Sequence, residues 1–220
     1  MKYTGAKAES HYDNSHVYCM DCMDALRQTP DMYFDLAVVD PPYGIGFEDG
    51  GQYFKRKNKL KGKKWDSGTP QDEYFIELFR ASKNQVIWGG NYFDLPATRG
   101  FLIWYKTDEI KDRTFSECEY AWTSYNRPAR HLELKPFQRN GSRIHPTQKP
   151  VTLYDWIYSP IHNYLPQGGK VIDTHLGSGS NRIAADKAGN IEFYGFEIDS
   201  EYYEAQEKRY KIFKMQKTLF

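Results

Sequence analysis

Short apolar runs punctuate an otherwise polar chain, and each run ends at a turn signal. Leu36-Ala37-Val38-Val39 stops at Asp40-Pro41-Pro42-Tyr43, and Gln85-Val86-Ile87-Trp88 stops at Gly89-Gly90. Val171-Ile172-Asp173 stops at Thr174-His175-Leu176-Gly177. Runs of this length, rich in Val and Ile and bounded by Gly or Pro, read as buried strands. His16–Cys19, Gly100–Lys106, Glu117–Thr123 and Glu192–Glu197 read as further strands. Helical spacing falls between them. Asp24 to Gln28 predicts a short helix, and Tyr74, Phe75, Leu78 and Phe79 predict another behind the start signal Thr69-Pro70-Gln71-Asp72. A third runs from about Asn181 to Ala188, and a fourth from about Glu201 to Lys214 behind the capping pair Asp199-Ser200. Strand–helix alternation of this kind predicts an α/β fold with a doubly wound, mostly parallel, Rossmann-like sheet and antiparallel strands at one edge. Met1 to Asn14 is polar without a period and predicts a poorly tied arm.

Composition narrows this picture only slightly. A chain of 220 residues suits one domain with ample core. The mean hydropathy of −0.78 describes a polar protein. No apolar run approaches the ~20 residues of a membrane helix, and Met1-Lys2-Tyr3-Thr4 lacks a secretory pattern, so a cytoplasmic location is expected. Cys19, Cys22 and Cys118 are the three cysteines. Cys19-Met20-Asp21-Cys22 has ligand spacing but no second pair, so reduced thiols at a strand–helix junction are expected and no metal site. Net charge is +1, yet positive charge concentrates in Lys55, Arg56, Lys57, Lys61, Lys63 and Lys64, within a Gly- and Lys-rich stretch from Gly44 to Gly68.

The Asp40-Pro41-Pro42-Tyr43 turn carries specific chemistry. Two prolines cannot prolong the strand, so Asp40 and Tyr43 ride on a stiff loop at its carboxyl end, where open α/β sheets place ligands. An amine on a nucleobase is a poor nucleophile because its lone pair is delocalised into the ring. Acceptors aimed at its N–H bonds, the Asp40 carboxylate and a carbonyl such as that of Pro41, draw the nitrogen towards tetrahedral geometry. Pro42 stiffens the turn, and Tyr43 offers a ring on which an extruded base can stack. The constellation suits methyl transfer to an exocyclic amine.

A second motif supplies a nucleotide-cofactor cradle. After the Asp173 strand come Leu176, Gly177, Ser178, Gly179 and Ser180, then a helix start. Glycines let the backbone approach a ligand and the helix amino terminus presents free N–H groups. The following strand ends in Glu197, about twenty residues on, the spacing of a carboxylate that grips ribose hydroxyls.

Together these motifs resemble the S-adenosylmethionine-dependent DNA amino-methyltransferases, in the permuted class whose catalytic tetrapeptide precedes the cofactor motif. The resemblance runs from about Val17 to about Tyr210. It implies that His145-Pro146-Thr147-Gln148-Lys149-Pro150 lies just upstream of the cofactor strand, with Thr147, Gln148 and Lys149 on the cofactor side. It also implies that Asp21 approaches the cofactor adenine, against its alternative as a simple helix cap. The aspartate form of the tetrapeptide usually goes with adenine N6. One departure stands out: the family commonly carries Pro-Phe after the motif aspartate, and this chain has Thr174-His175. Asn91 and Tyr92 resemble residues on the cofactor-facing side of the pocket.

The implied activity is site-specific methylation of adenine N6 in double-stranded DNA after base flipping. The alternatives are cytosine N4, RNA, or a non-catalytic DNA-binding subunit that retains the fold. The basic Gly44–Gly68 loop reads as phosphate-contacting, without base readout. The family's target-recognition region is here only 126–144, with Arg127, Arg130, Arg139 and Arg143 as DNA-contact candidates. So short a reader implies a short target, help from the basic loop, or a homodimer. The closing Gln216-Lys217-Thr218-Leu219-Phe220 resembles the peptides with which replication proteins grip the bacterial sliding clamp.

Overall fold

The computed structural model describes residues 1–46, 66–107, 116–136, 143–162, 164–165 and 168–217. Among the described residues, nine strands form one sheet in the order β1-β2-β9-β8-β3-β4-β6-β5-β7. The strands are β1 (Ala8–Tyr12), β2 (Ser15–Cys19), β3 (Leu36–Val39), β4 (Gln85–Trp88), β5 (Phe101–Tyr105), β6 (Cys118–Thr123), β7 (Arg130–Glu133), β8 (Lys170–Asp173) and β9 (Glu192–Glu197). The central run β2-β9-β8-β3-β4 is parallel throughout. The mostly parallel doubly wound sheet is therefore as expected. Antiparallel pairing occurs at both ends, with β1 on β2 and β6 between β4 and β5.

Alternation along each strand explains the two layers. Leu36 and Val38 face one core with Leu153 and Ile157 of α3 (Val151–Tyr158) and Ala184 and Ala185 of α4 (Ser180–Ala188). Ala37 and Val39 face the other, with Leu26 of α1 (Cys22–Gln28) and Tyr74, Phe75 and Leu78 of α2 (Asp72–Ala81). All four β3 residues are at most 1% exposed. Fully burying a Val or Leu side chain contributes about 1.5–3 kcal/mol, so β3 is fixed firmly beneath the Asp40 turn. The last helix, α5 (Ser200–Lys217), starts where Asp199 Oδ1 accepts from the backbone N–H groups of Glu201 and Tyr202.

Three expectations are corrected. The arm before Asn14 is tied down: β1 pairs in register with β2, Tyr3 is buried, and the amino terminus donates to the Tyr194 hydroxyl. An edge strand can be held by its backbone ladder without an apolar face, which is why no period betrays it. Thr69 does not cap α2. That helix starts at Asp72 with Gln71 in the cap position and no side-chain cap bond, because Thr69 lies against Gly44, where the stem of the basic loop closes. Asp66 forms that closure, accepting at Oδ1 from the Gly44 N–H and at its carbonyl from the Gly46 N–H.

The third concerns Arg127 and Arg130. Because β6 runs antiparallel to β4, its carboxyl end, Thr123, pairs with Val86 near the start of β4. The chain leaves β6 on the edge of the sheet opposite to Asp40. Arg127 is spent there on the Tyr125 and Tyr164 rings and on the His162 carbonyl, and Arg130 opens β7 at the same edge. Neither lies beside the tetrapeptide. Lys55, Arg56, Lys57, Lys61, Lys63, Lys64, Arg139 and the tail 218–220 lie outside the described residues.

Candidate active site

Parallel neighbours β3 and β8 end on the same edge, and each delivers an aspartate there. Asn181, in the first turn of α4, spans the two ends. Its Nδ2 donates to the Val38 carbonyl at 3.0 Å and to Asp173 Oδ2 at 2.9 Å. The proline-stiffened turn and the glycine turn thus meet across one pair of adjacent strands. The Asp173 carboxyl is 3% exposed. Burial pushes it up to about 7, helped by the nearby Asp40 and Glu197 carboxylates and opposed by Asn181 and the His175 N–H.

Asp40 sits at the open end, its side chain 19% exposed. Tyr43 donates to Oδ1 at 2.6 Å, and Lys149 donates to Oδ2 at 2.5 Å. Lys149 Nζ also lies 3.2 Å from the Tyr43 hydroxyl and 3.1 Å from Glu119 Oε2 on β6. Lys106, just past β5, pairs with Glu119 Oε1 at 2.8 Å. A line of alternating charges, half-buried but for the fully buried Lys149, therefore runs Lys106–Glu119–Lys149–Asp40 into the site. Burial opposes ionisation of Glu119, yet Lys149 and Lys106 hold its carboxyl down to about 2. Burial pushes Asp40 up, and Lys149 works against that push. Lys149 remains an ammonium: burial disfavours the charge, and the two carboxylates more than restore it.

The Tyr43 ring lies against the backbone of Gly89, where a Cβ would come 2.1 Å from Tyr43 Cε1. Only glycine fits there, and its φ of +69° suits glycine as well. Tyr92 stacks on Tyr43 at 4.9 Å and 13° and is 44% exposed. A base that stacks on this face of Tyr43 has to displace Tyr92. Pro41 is buried and Pro42 half-buried.

On the cofactor side, Leu176 is buried and its N–H donates to the Phe196 carbonyl. Gly177 (φ +51°) donates to Glu197 Oε2 at 2.8 Å, and Glu197 Oε1 accepts from the Asp199 N–H. A carboxylate oxygen can accept from more than one donor, a ribose hydroxyl among them. Ser178 and Ser180 meet side chain to side chain at 3.1 Å, and Arg209 fixes both through the Ser178 carbonyl and Ser180 Oγ. Gly179 (φ +71°) faces Gln206, whose Oε1 would lie 3.1 Å from a Cβ. The His145 ring packs on Gly177 and on Tyr202, and Thr147 Oγ1 lies 3.1 Å from its Nδ1. Gln148 Oε1 accepts from the Ile144 N–H. His145 therefore covers the glycine turn, with Thr147 bonded to it and Gln148 to Ile144, while Lys149 reaches Asp40. Arg143 donates to the Pro146 carbonyl on the same side. Asp21 caps α1 through the Met23 N–H at 2.8 Å.

Sequence reasoning leaves Thr174 and His175 without contacts, and the structure supplies them. Thr174 Oγ1 meets the Tyr74 hydroxyl at 2.6 Å and His175 Nδ1 at 2.9 Å. Tyr74 has no other acceptor among the described residues, so its proton points to Thr174 and the threonine proton to Nδ1. That order leaves hydrogen on Nε2. Burial pushes His175 down to about 4, so the imidazole is neutral. A neutral ring suits the neighbourhood of a sulfonium. The pieces fit S-adenosylmethionine: two glycines that admit a close backbone approach, a ribose acid, and a buried carboxyl that gains by meeting a cation.

Residues 55–208 match the family model for N6/N4 amino-methylases, described as DNA methylase. The match begins after the tetrapeptide, so Asp40 rests on geometry rather than on it. The "Putative methylase YubD" of Escherichia coli K12 is 28% identical over 211 residues, covering 86% of this chain and 87% of the relative. The type II methyltransferase M1.MboII of Moraxella bovis is 24% identical, covering 84% and 92%. Among solved structures, the PvuII DNA methyltransferase (cytosine-N4-specific) superposes with a TM-score of 0.62 at 15% identity, covering 92% of this chain and 89% of that one. The M1.HpyAVI–SAM complex superposes at 0.54 and 20% identity, covering 88% and 98%. These two likenesses concern the fold. The chain belongs to the N6/N4 DNA methylase family.

Proposed function

We propose that the protein transfers a methyl group from S-adenosylmethionine to N6 of adenine in duplex DNA. The observation that supports this reading is that Asp40 and Asp173 stand at the same ends of adjacent parallel strands, which Asn181 joins through the Val38 carbonyl and Asp173 Oδ2. The bound cofactor supplies an electrophilic methyl group. The chain's own residues then position the amine and exclude water. Asp40 accepts one amine N–H, a turn carbonyl accepts another, and the nitrogen lone pair is aimed at the methyl carbon. The new N–C bond would replace the cofactor's S–C bond, whose electrons would stay with sulfur, and the amine proton would leave afterwards. Tyr43, once Tyr92 yields, holds the flipped base by stacking.

The aspartate form of the tetrapeptide supports adenine. Cytosine N4 is the second reading, favoured by the cytosine-N4-specific structure among the fold neighbours. Methylation-aware sequencing of DNA from cells expressing the protein decides between them and reads the target site in one experiment. Asp40→Ala is expected to abolish transfer while cofactor binding persists. Substantial residual transfer would show that Asp40 is not the acceptor that orients the amine.

A further inference from the structure

Both oxygens of Asp40 are engaged, Oδ1 by Tyr43 and Oδ2 by Lys149. Each oxygen keeps a second lone pair, but an ammonium held on Oδ2 competes with the target amine for that oxygen and draws charge from it. Lys149 is 4% exposed, so its ammonium cannot simply swing into water; the cost of burying an unpaired charge keeps it beside an anion. The nearest alternative is Glu119. Its Oε2 lies buried 3.1 Å from Lys149 Nζ as an ion pair, off the line of a well-formed hydrogen bond. Its other oxygen is held by Lys106 at 2.8 Å, which fixes the carboxylate in place. A buried acceptor so poorly used is unusual, and this one stands beside an ammonium whose two well-formed hydrogen bonds go to Asp40 and Tyr43.

We propose that Glu119 is a positioning residue that receives the Lys149 ammonium when the target amine arrives, so that Asp40 Oδ2 is released to accept the amine N–H. This rests on Asp40 being the amine acceptor. The movement is a small rotation of one buried side chain between two carboxylates. Lys149 also lies over the rings of Tyr43 and Trp88 at 5.6 and 5.5 Å, which offer it a favourable face on either side. Glu119 touches neither substrate nor cofactor. It acts through Lys149, and its contribution is confined to the amine.

The test uses duplexes carrying the target site read by sequencing, with the methylated base either intact or with its amino group replaced by hydrogen. Binding is measured at equilibrium for the full-length protein with S-adenosylhomocysteine present. The wild type is expected to prefer the amino-bearing duplex, and Glu119→Gln to lose that preference while binding the amine-less duplex as before. In turnover, Glu119→Gln is expected to lower kcat on the order of tenfold to a hundredfold with KM for S-adenosylmethionine unchanged. Glu119→Asp, which keeps the receiving charge, is expected to recover part of the loss. Equal weakening on both duplexes, or Glu119→Gln and Glu119→Asp failing alike, would mean a purely structural role and overturn the inference. A wild type that methylates but shows no preference for the amino group would overturn both this inference and the role of Asp40 as acceptor.

Discussion

Asp40 and Lys149 stand 109 positions apart in the chain, and their side chains meet at 2.5 Å. The contact joins the proline turn to the end of the segment whose His145 covers the glycine turn. One side of it reaches Tyr43, and the other runs through Glu119 to Lys106. The pair therefore ties the charge of the proposed amine acceptor to a buried cation rather than to solvent.

Replacing that cation should show in the pH profile. Asp40 faces Lys149, Glu119 of β6 and Tyr43, with Asp173 and Tyr154 close by. Burial already raises its carboxyl, and Lys149 is the group that opposes the rise. Lys149→Met is expected to move the acidic limb of single-turnover methyl transfer to higher pH by about one unit or more, since an adjacent opposite charge is worth about 1–3 units. An acidic limb that stays in place would show that the pair does not control Asp40.

Asn181 is expected to be the main clasp between the two motif strands. Asn181→Leu removes the donors to Val38 and Asp173 and the acceptor for Tyr158. Leaving such buried groups unpaired costs about 1–3 kcal/mol each, so thermal unfolding should fall by several degrees, at about 2–4 °C per kcal/mol for a chain of this size. An unchanged Tm would assign the clasp no weight.

Cofactor binding should release a proton through Asp173. With its carboxyl raised to about 7 by burial, the group is largely protonated in the free protein at pH 6. A cationic ligand beside it favours the ionised form, so affinity should climb as pH rises from 5 to 7 and flatten above. Calorimetry of S-adenosylmethionine in buffers of different ionisation enthalpy reads the released proton directly at pH 6. Asp173→Asn should abolish both the release and the slope, and a slope retained in that variant would place the proton elsewhere.

The sequence makes the local parts of this site legible and hides the parts that depend on strand direction. Asp40, Asp173, the glycines and Glu197 each sit at the end of an apolar run, and a run followed by Pro or Gly declares itself within a few residues. Glu119 and Lys106 belong to antiparallel β6 and to the end of β5. Nothing in Cys118–Thr123 says which way that strand runs, and its direction alone brings Glu119 to Lys149 and carries Arg127 to the far edge. β1 escapes a reading by period because its side chains are mostly exposed or half-buried and only its backbone pairs. Lys149 carries one signal, a lysine between Gln148 and Pro150 in a motif otherwise read as cofactor-facing. Its partner carries none.

Thr174-His175 yields the last prediction, concerning stability rather than turnover. His175 has its folded value pushed by burial down to about 4, against an ordinary 6.5. The unfolded chain therefore binds this proton more readily than the folded one. The contribution is intact above pH 6.5 and is lost as pH falls towards 4, by at most about 3.5 kcal/mol at about 1.4 kcal/mol per unit. Asp173 slopes the other way, because its raised carboxyl favours the folded state at low pH and loses that advantage as pH rises towards 7. In the wild type the two slopes oppose each other between pH 5 and 6.5. His175→Phe, which restores the side chain common in the family, removes only the histidine slope. Its Tm is expected to rise, relative to wild type, as the solution is acidified from pH 7 to 5, while Tyr74 and Thr174 keep their bond. Parallel Tm curves for the two proteins across that interval would show that His175 is not held neutral by the fold.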